Sequence, residues 1–395
     1  MKNKRVLILD GDSRQGLPFA RSLRKTGHHI TMVCPWKCCP GYFSRYPNER
    51  LIWPNIVENQ SEFYNCLLEY IKKGNCDIVL ALGDASAILV SKNRDEITKY
   101  TKTPVPSYNI LKYGENKNLS MFFCMNNDIP CPKTFDPQTQ SLDYITNNIV
   151  FPVMVKPIRG IGAVGLHKFE NIDKLLGNFE FLRTKYGDLQ IQEFIPQEGG
   201  AQFQAEAFCD KNSVMKACMV IAKPRYFPVT GGTSTCNYTV DRPDIVENVR
   251  RLLEGIRWVG SADVDLILDP RDSVAKILEI NPRVTAGIKI GFDAGIDYAD
   301  LQMKLVLGEE IPEIKDYKLN IVLRNLCLDI LWYKYSTKLE RRNIIPNWWE
   351  FFGRNIHYQT VRWDDPMPFL GFILSNLKKF NNSDAWKSKL GSDIQ

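Results

Sequence analysis

The sequence predicts a mixed α/β protein: an open parallel α/β layer at the N-terminus, then two α+β lobes, then an aromatic-rich C-terminal extension. Three observations carry this expectation. Strand, turn, helix and strand signals alternate from Arg5 to Leu82, period-two alternation dominates from Leu189 to Arg283, and aromatic residues crowd the stretch after Pro312. A chain of 395 residues exceeds what one core supports, roughly 250 to 300 residues, so two or three domains are expected. The expected limits are 1–112 for the first layer, 113–312 for the two lobes (a smaller one over about 118–192, a larger one over about 193–312) and 313–395 for the extension.

Arg5 to Asp10 is an apolar run that reads as a strand, and Gly11-Asp12-Ser13-Arg14-Gln15-Gly16 is the turn after it. A helix follows, with Pro18 in its first turn, Leu17, Ala20 and Leu23 at helical spacing, and Gly27 as its stop. Ile30 to Val33 is the next strand. The glycines do not spell G-x-G-x-x-G, and no acid follows Val33 where a ribose partner would stand, so the turn reads as structural rather than nicotinamide-binding. Asp77 to Leu82 continues the sheet. Gly83-Asp84 then opens a helix at the carboxyl edge, where open α/β sheets take ligands.

Prolines 104 and 106 with Gly114 mark a boundary before a helix over Leu119 to Asn126. Phe151 to Pro157 reads as a strand ending at Lys156, immediately before Gly160, Gly162 and Gly165. Glycines so placed let backbone N–H groups approach phosphate oxygens, although a plain hairpin turn would need no ligand; the run is not a Walker loop. Leu189 to Pro196, Gln202 to Phe208 and Val214 to Ile221 alternate as strands. Lys223-Pro224-Arg225-Tyr226 and Gly231-Gly232-Thr233-Ser234 read as a basic, flexible, hydroxyl-bearing loop, and Asp241-Arg242-Pro243 starts a helix with Ile245, Val249, Leu252 and Ile256 at core spacing.

The helix leads into the most informative stretch. Ala262 to Leu268 and Lys276 to Arg283 alternate on either side of the turn Asp269-Pro270-Arg271-Asp272-Ser273, so they read as a hairpin. Asp263 and Asp265 would share one face opposite Val264, Leu266 and Leu268. Ile277, Glu279 and Asn281 would share one face opposite Leu278 and Ile280. Asp265, Glu279 and Asn281 then present oxygens beside Arg283, a set that suits magnesium; solvated acids on surface strands are the plainer reading.

Composition narrows the classes. No apolar run approaches the ~20 residues of a membrane-spanning helix, and the basic N-terminus leads straight into a strand, so a cytoplasmic protein is expected. Eleven cysteines without repeating spacing fit reduced, mostly buried thiols better than a disulfide framework. Cys34, Cys38 and Cys39 lack a second Cys/His pair to complete a metal site. Four histidines leave little for a His-centred hydrolase.

In order, these parts resemble the ATP-grasp superfamily over about 117–307: Lys117, then Lys156 with its glycine loop, then Gln192-Glu193-Phe194-Ile195, then an acid on one strand and Glu279-x-Asn281-x-Arg283 on the next. The resemblance implies that Lys117 and Lys156 contact nucleotide phosphates under the Gly160, Gly162 and Gly165 loop. It implies that Gln192, Glu193 and the Ile195 backbone sit at the adenine, with Gln202 where relatives often carry a ribose-binding glutamate. Asp265, Glu279 and Asn281 would bind one or two magnesium ions, or manganese in their place, and Arg283 would face the transferred phosphoryl group. Lys223 and Arg225 would seat a carboxylate substrate. Asn116 departs from the aspartate common before the lysine. The implied activity is an ATP-dependent carboxylate–amine ligase; the alternatives are a bicarbonate-phosphorylating enzyme like carbamoyl phosphate synthetase or biotin carboxylase, and a silent ATP-binding regulator.

The segment 313–395 holds 13 Lys/Arg against 9 Asp/Glu, with Trp332, Trp348, Trp349, Trp363 and Trp386 among its aromatics. A small helical unit packed on the core is the expectation; a membrane-surface contact through Pro366 to Leu374, with Lys378 and Lys379 behind, is the alternative. Small-molecule acids and amines are the expected partners, without nucleic acid, and a homodimer is compatible with the pattern.

Overall fold

The computed structural model describes residues 3–159, 165–196, 201–229, 232–342 and 344–380, the last three without their side chains. Three sheets organise the described residues. The first is parallel, in the order β3 (Glu49–Ile52), β2 (His29–Cys34), β1 (Arg5–Ile8), β4 (Ile78–Leu80). The edge strand β3 escaped the sequence reading because it is short and only half-buried, without the apolar run that marks its neighbours.

The second sheet is small and antiparallel: β5 (Thr134–Phe135), β8 (Leu189–Glu193), β6 (Val153–Pro157), β7 (His167–Phe169). One face of it is covered by the helix Ile172–Tyr186 through Leu175, Phe179 and Leu182. The third sheet has seven strands, in the order β13 (Val274–Asn281), β12 (Gly260–Asp269), β9 (Gln202–Cys209), β10 (Met215–Phe227), β11 (Thr233–Val240), β14 (Val322–Arg324), β15 (Ile356–Tyr358). Its two faces do different work. Ala205, Ala207, Val264 and Ile280 pack against Ile245, Val249 and Leu252 of the helix Pro243–Gly255, while Phe208, Met219 and Ile221 join Ile8, Phe19 and Met32 of the parallel layer in one shared core.

Two sequence expectations change here. β10 does not stop at Ile221 but runs to Phe227, so Lys223 and Arg225 lie in a strand and not in a flexible loop. Pro224, which cannot donate to a ladder, coincides with the register shift between Ala222 and Arg225, and this is how the strand tolerates it. Thr230 and Gly231 lie outside the described residues, and Thr233 and Ser234 begin β11. The extension is not merely a helical unit packed on the core, because β14 pairs with β11 and β15 lies parallel beside β14, adding two strands to the large sheet. Pairings between residues so far apart leave no local signature.

The extension is anchored by ions rather than apolar area alone. Arg225 and Arg324, both fully buried, share the carboxylate of Asp329 in the helix Leu326–Tyr335, at 2.9 Å and 2.6 Å. Their remaining N–H groups donate to the carbonyls of Pro346, Trp348 and Glu350, and Trp348 stacks on Tyr333 at 4.0 Å. Helix Met367–Phe380, which contains the stretch read as a membrane-surface candidate, lies on the short helix Pro40–Phe43; Gly371 sits so close that a Cβ would stand 3.0 Å from the Cys39 carbonyl oxygen. Among the described residues no helix is long and apolar enough to cross a membrane.

Replacing Asp329 with alanine strands two buried guanidinium groups without a counter-charge. We expect a loss of about 3 to 5 kcal/mol in urea unfolding; a loss below about 1 kcal/mol, typical of an exposed pair, would contradict the buried-pair account.

Candidate active site

The hairpin β12–β13 places Asp263 opposite Asn281 and Asp265 opposite Glu279, and β12 pairs on its other side with β9, so that Gln204 faces Asp265 and Glu206 faces Asp263. Period-two alternation therefore gathers six polar side chains onto one region of one sheet face. The expected face assignment fails at one residue. A register shift after Asp265 leaves Leu278 unpaired, and Ile277 turns into the core beside Ile280 instead of joining Glu279.

Burying acids this closely requires cations. Asp265 receives Lys223 Nζ at 2.5 Å and the Asn281 amide at 3.2 Å. Burial raises the Asp265 carboxyl, but Lys223 outweighs it and holds the group below the ordinary carboxylate range. Arg283 reaches Asp263 at 2.6 Å and Asp84 at 3.0 Å, and also donates to the Asn281 oxygen at 3.3 Å. Asp84 begins the helix at the carboxyl edge of the parallel sheet, so a single guanidinium joins that layer to the hairpin. Burial together with the nearby Asp265 charge pushes Asp263 up to about 7. Glu206, wholly buried beside Asp263, is raised well above the usual range by burial and then by that neighbour, although the Thr285 N–H donates to it.

Lys117 begins the helix Lys117–Asn126 and its ammonium lies 3.3 Å from Glu279. Asn116 occupies the N-cap, where its side chain accepts the Asn118 N–H, a role asparagine fills as well as aspartate. Lys156, at the end of β6, donates to Gln192 at 3.0 Å, and burial brings it down to about 8. Gln192 in turn donates to Thr134, so both ends of its amide are held and the lysine is oriented by it. Glu193 carries an ion pair with Arg271 at 2.5 Å, and Ile195 is buried next to it. Gln202 starts β9, two residues from Gln204 on the same face. Gly165 has a φ of +76°, and a Cβ there would stand 2.8 Å from Pro157; Gly160 and Gly162 lie outside the described residues.

Of the residues expected at the site, the structure brings Lys117, Glu279, Asp265, Asn281, Arg283 and Lys223 into one connected set, with Lys156 and Gln192 beside it. Arg225 is placed elsewhere, on Asp329 beneath the extension. The sequence reading missed Asp84, Gln204 and Glu206 as members of the set. The alternation Gln202, Gln204, Glu206 was a visible signal for the last two; Asp84 depends on a contact between two layers.

By its chemistry the donor set suits a hard cation: two carboxylates and an amide oxygen in register are ligands that magnesium takes. Among the described residues no group of three His, Cys, Asp or Glu side chains is arranged to hold a metal alone. A cation on Asp265, Glu279 and Asn281 would therefore complete its shell with phosphate and water oxygens, as magnesium does in nucleotide sites.

Residues 115–287 match the family model of the ATP-grasp domain. The chain is 27% identical over 303 residues to the D-aspartate ligase of Enterococcus faecium (strain Aus0004), covering 70% of this chain and 71% of that protein. It is 23% identical over 182 residues to the C-terminal section of the carbamoyl phosphate synthase large chain of Methanopyrus kandleri, covering 44% of this chain and 33% of that section. The biotin carboxylase domain of Hydrogenobacter thermophilus 2-oxoglutarate carboxylase, solved with MgADP, ADP and bicarbonate, superposes with a TM-score of 0.68 at 14% identity, over 81% of this chain and 73% of that one. The ordered motifs, the sheet arrangement and the match to the family model converge on an ATP-grasp domain at residues 115–287.

Proposed function

We propose that this chain is an ATP- and magnesium-dependent ligase that activates a carboxylate as an acyl phosphate and joins it to an amine. The observation that carries the reading is the register of Asp265 against Glu279, each carboxylate met by an ammonium from a different element, Lys223 and Lys117. The likeness to a D-aspartate ligase supports the choice of a carboxylate and an amine as reactants.

In this reading Lys117 and Lys156 hold the phosphates of ATP beneath the 160–165 loop, while Glu193 and the Ile195 backbone hold the adenine and Gln202 a ribose hydroxyl. Magnesium on Asp265, Glu279 and Asn281 would neutralise phosphate oxygens. Arg283 stabilises charge on the phosphoryl group in transit. A carboxylate oxygen of the acid attacks the γ-phosphorus and the bond to the ADP oxygen breaks. The amine nitrogen then attacks the acyl carbon, loses a proton and expels inorganic phosphate, so that acid, amine and ATP become amide, ADP and phosphate. Positioning and charge neutralisation suffice for such transfer, and no Ser–His or Cys–His pair is called for. Exclusion of water strengthens each contact: opposite charges 4 Å apart attract by about 4 kcal/mol at an effective dielectric near 20 but by about 1 kcal/mol in water.

Mixing the folded protein with Mg-ATP, a panel of amino and other organic acids, and an amine donor should release ADP and phosphate in equal amounts. Glu279→Gln should lower kcat by about 10²-fold or more, and Glu310→Gln, on the surface, should leave it unchanged. No ADP release across the panel would overturn the reading, and ATP binding without turnover would favour a regulatory role.

Lys156 gives a pH test. Its ammonium is lost above about 8 in the free protein, and only the charged form attracts phosphate, so affinity for Mg-ATP should fall as pH rises past about 8. By linkage, nucleotide binding should take up a proton near that pH. Lys156→Met should bind more weakly and without that step in a calorimetric titration; an unchanged step would exclude Lys156 from the phosphates.

A further inference from the structure

Arg14 lies in the turn between β1 and the helix Gly16–Lys25, at the carboxyl edge of the parallel sheet. Its neighbour Gln15 donates to the carbonyl of Val284, the residue after Arg283, so the turn lies against the exit of the hairpin. Among the described residues no carboxylate pairs with Arg14. It donates one N–H to the side-chain oxygen of Gln359 and rests 5.5 Å from the centre of the Phe372 ring. Burial with no opposing acid pulls its guanidinium down to about 10. A guanidinium has five N–H donors, so this side chain keeps most of its capacity.

The groups around it are donors as well. Asn325 caps the helix Leu326–Tyr335 by accepting the Leu328 N–H, which leaves its NH₂ to donate to Gln359 Oε1 at 3.1 Å. Gln359 thus receives Arg14 and Asn325 on its oxygen and presents its own NH₂ away from them. Asn237, buried in β11, accepts the Ser234 hydroxyl on its oxygen and likewise keeps its NH₂. Both amides converge on Gly287: a Cβ there would stand 3.1 Å from Asn237 Nδ2 and 3.9 Å from Gln359 Nε2. Glycine leaves that space open. A cation with no carboxylate paired to it among the described residues, beside two NH₂ groups around Gly287, is complementary to an anion.

We infer that Arg14, Asn237 and Gln359 form a seat for a second anionic group of the acid substrate, a carboxylate or a phosphate, distinct from the carboxylate that is activated. This deepens the ligase reading and rests on it for the word substrate. Residues 283 and 287 can be at most about 14 Å apart along the chain, so one small molecule can reach from the seat to the phosphoryl end. The seat also takes the part expected of Arg225, whose charge is spent on Asp329.

The test is calorimetric titration without nucleotide. The probes are succinate, both enantiomers of aspartate and glutamate, and O-phosphoserine, with acetate and alanine as controls lacking a second anion. We expect one dianionic class to bind, dicarboxylate or phosphate, and the controls not to. Arg14→Gln and the isosteric Asn237→Asp should each weaken that binding at least tenfold while Mg-ATP still raises the melting temperature; if Arg14→Gln fails to fold, Asn237→Asp carries the comparison. In turnover, the KM for the acid should rise at least tenfold with the KM for ATP unchanged. Binding of none of the probes, or equal binding by wild type and variants, overturns the seat. Dianion binding lost in the variants, with no ADP release by wild type, would keep the seat and remove the ligase reading.

Discussion

Four acids on one sheet region, Glu206, Asp263, Asp265 and Glu279, can be held this close only because cations from other elements reach in among them. Arg283 is the central one. From just past the end of β13 it neutralises both Asp263 of the hairpin and Asp84 of the parallel layer, so the position of one layer relative to the other is tied to the charge state of the site. Glu206, which makes no ion pair among the described residues, is raised well above the usual carboxylate range by burial and by the neighbouring Asp263 charge. The arrangement is poised: two lysines occupy the carboxylates that a cation would take, and they are of the charge that a triphosphate would draw away.

Much of this was legible in the sequence, and the legible part is local. The alternation of Asp263 with Asp265 and of Glu279 with Asn281 showed the hairpin and the acids that face each other across it, and Lys156 at a strand end before a glycine run marked a second lobe. Ile277 was misassigned because a bulge moves a side chain to the opposite face without any change of residue type. Arg225 looked like a loop cation because Pro224 resembles a strand stop, and only the long-range pair with Asp329 reveals its role. The seat around Arg14 was invisible for a stronger reason: it is assembled from residues 14, 237, 287 and 359, each unremarkable alone, and from the direction in which two amides point.

The extension follows the same logic. Of its aromatics, Trp332 and Trp348 are buried and work as walls around the Arg225, Arg324 and Asp329 cluster, while Trp349 and Trp363 stay exposed. Gln359 follows β15 directly, so the strand that joins the sheet is also the support that carries an amide to Arg14 and Asn325.

That β15 is the outermost strand of the large sheet has a consequence for biosynthesis. β15 follows β14 in the chain, so in the growing polypeptide the β14 margin stays unpaired until Ile356–Tyr358 have emerged. Such a margin is a template for illegitimate pairing between nascent copies. A stop codon even modestly upstream of Tyr358 would make that temporary exposure permanent.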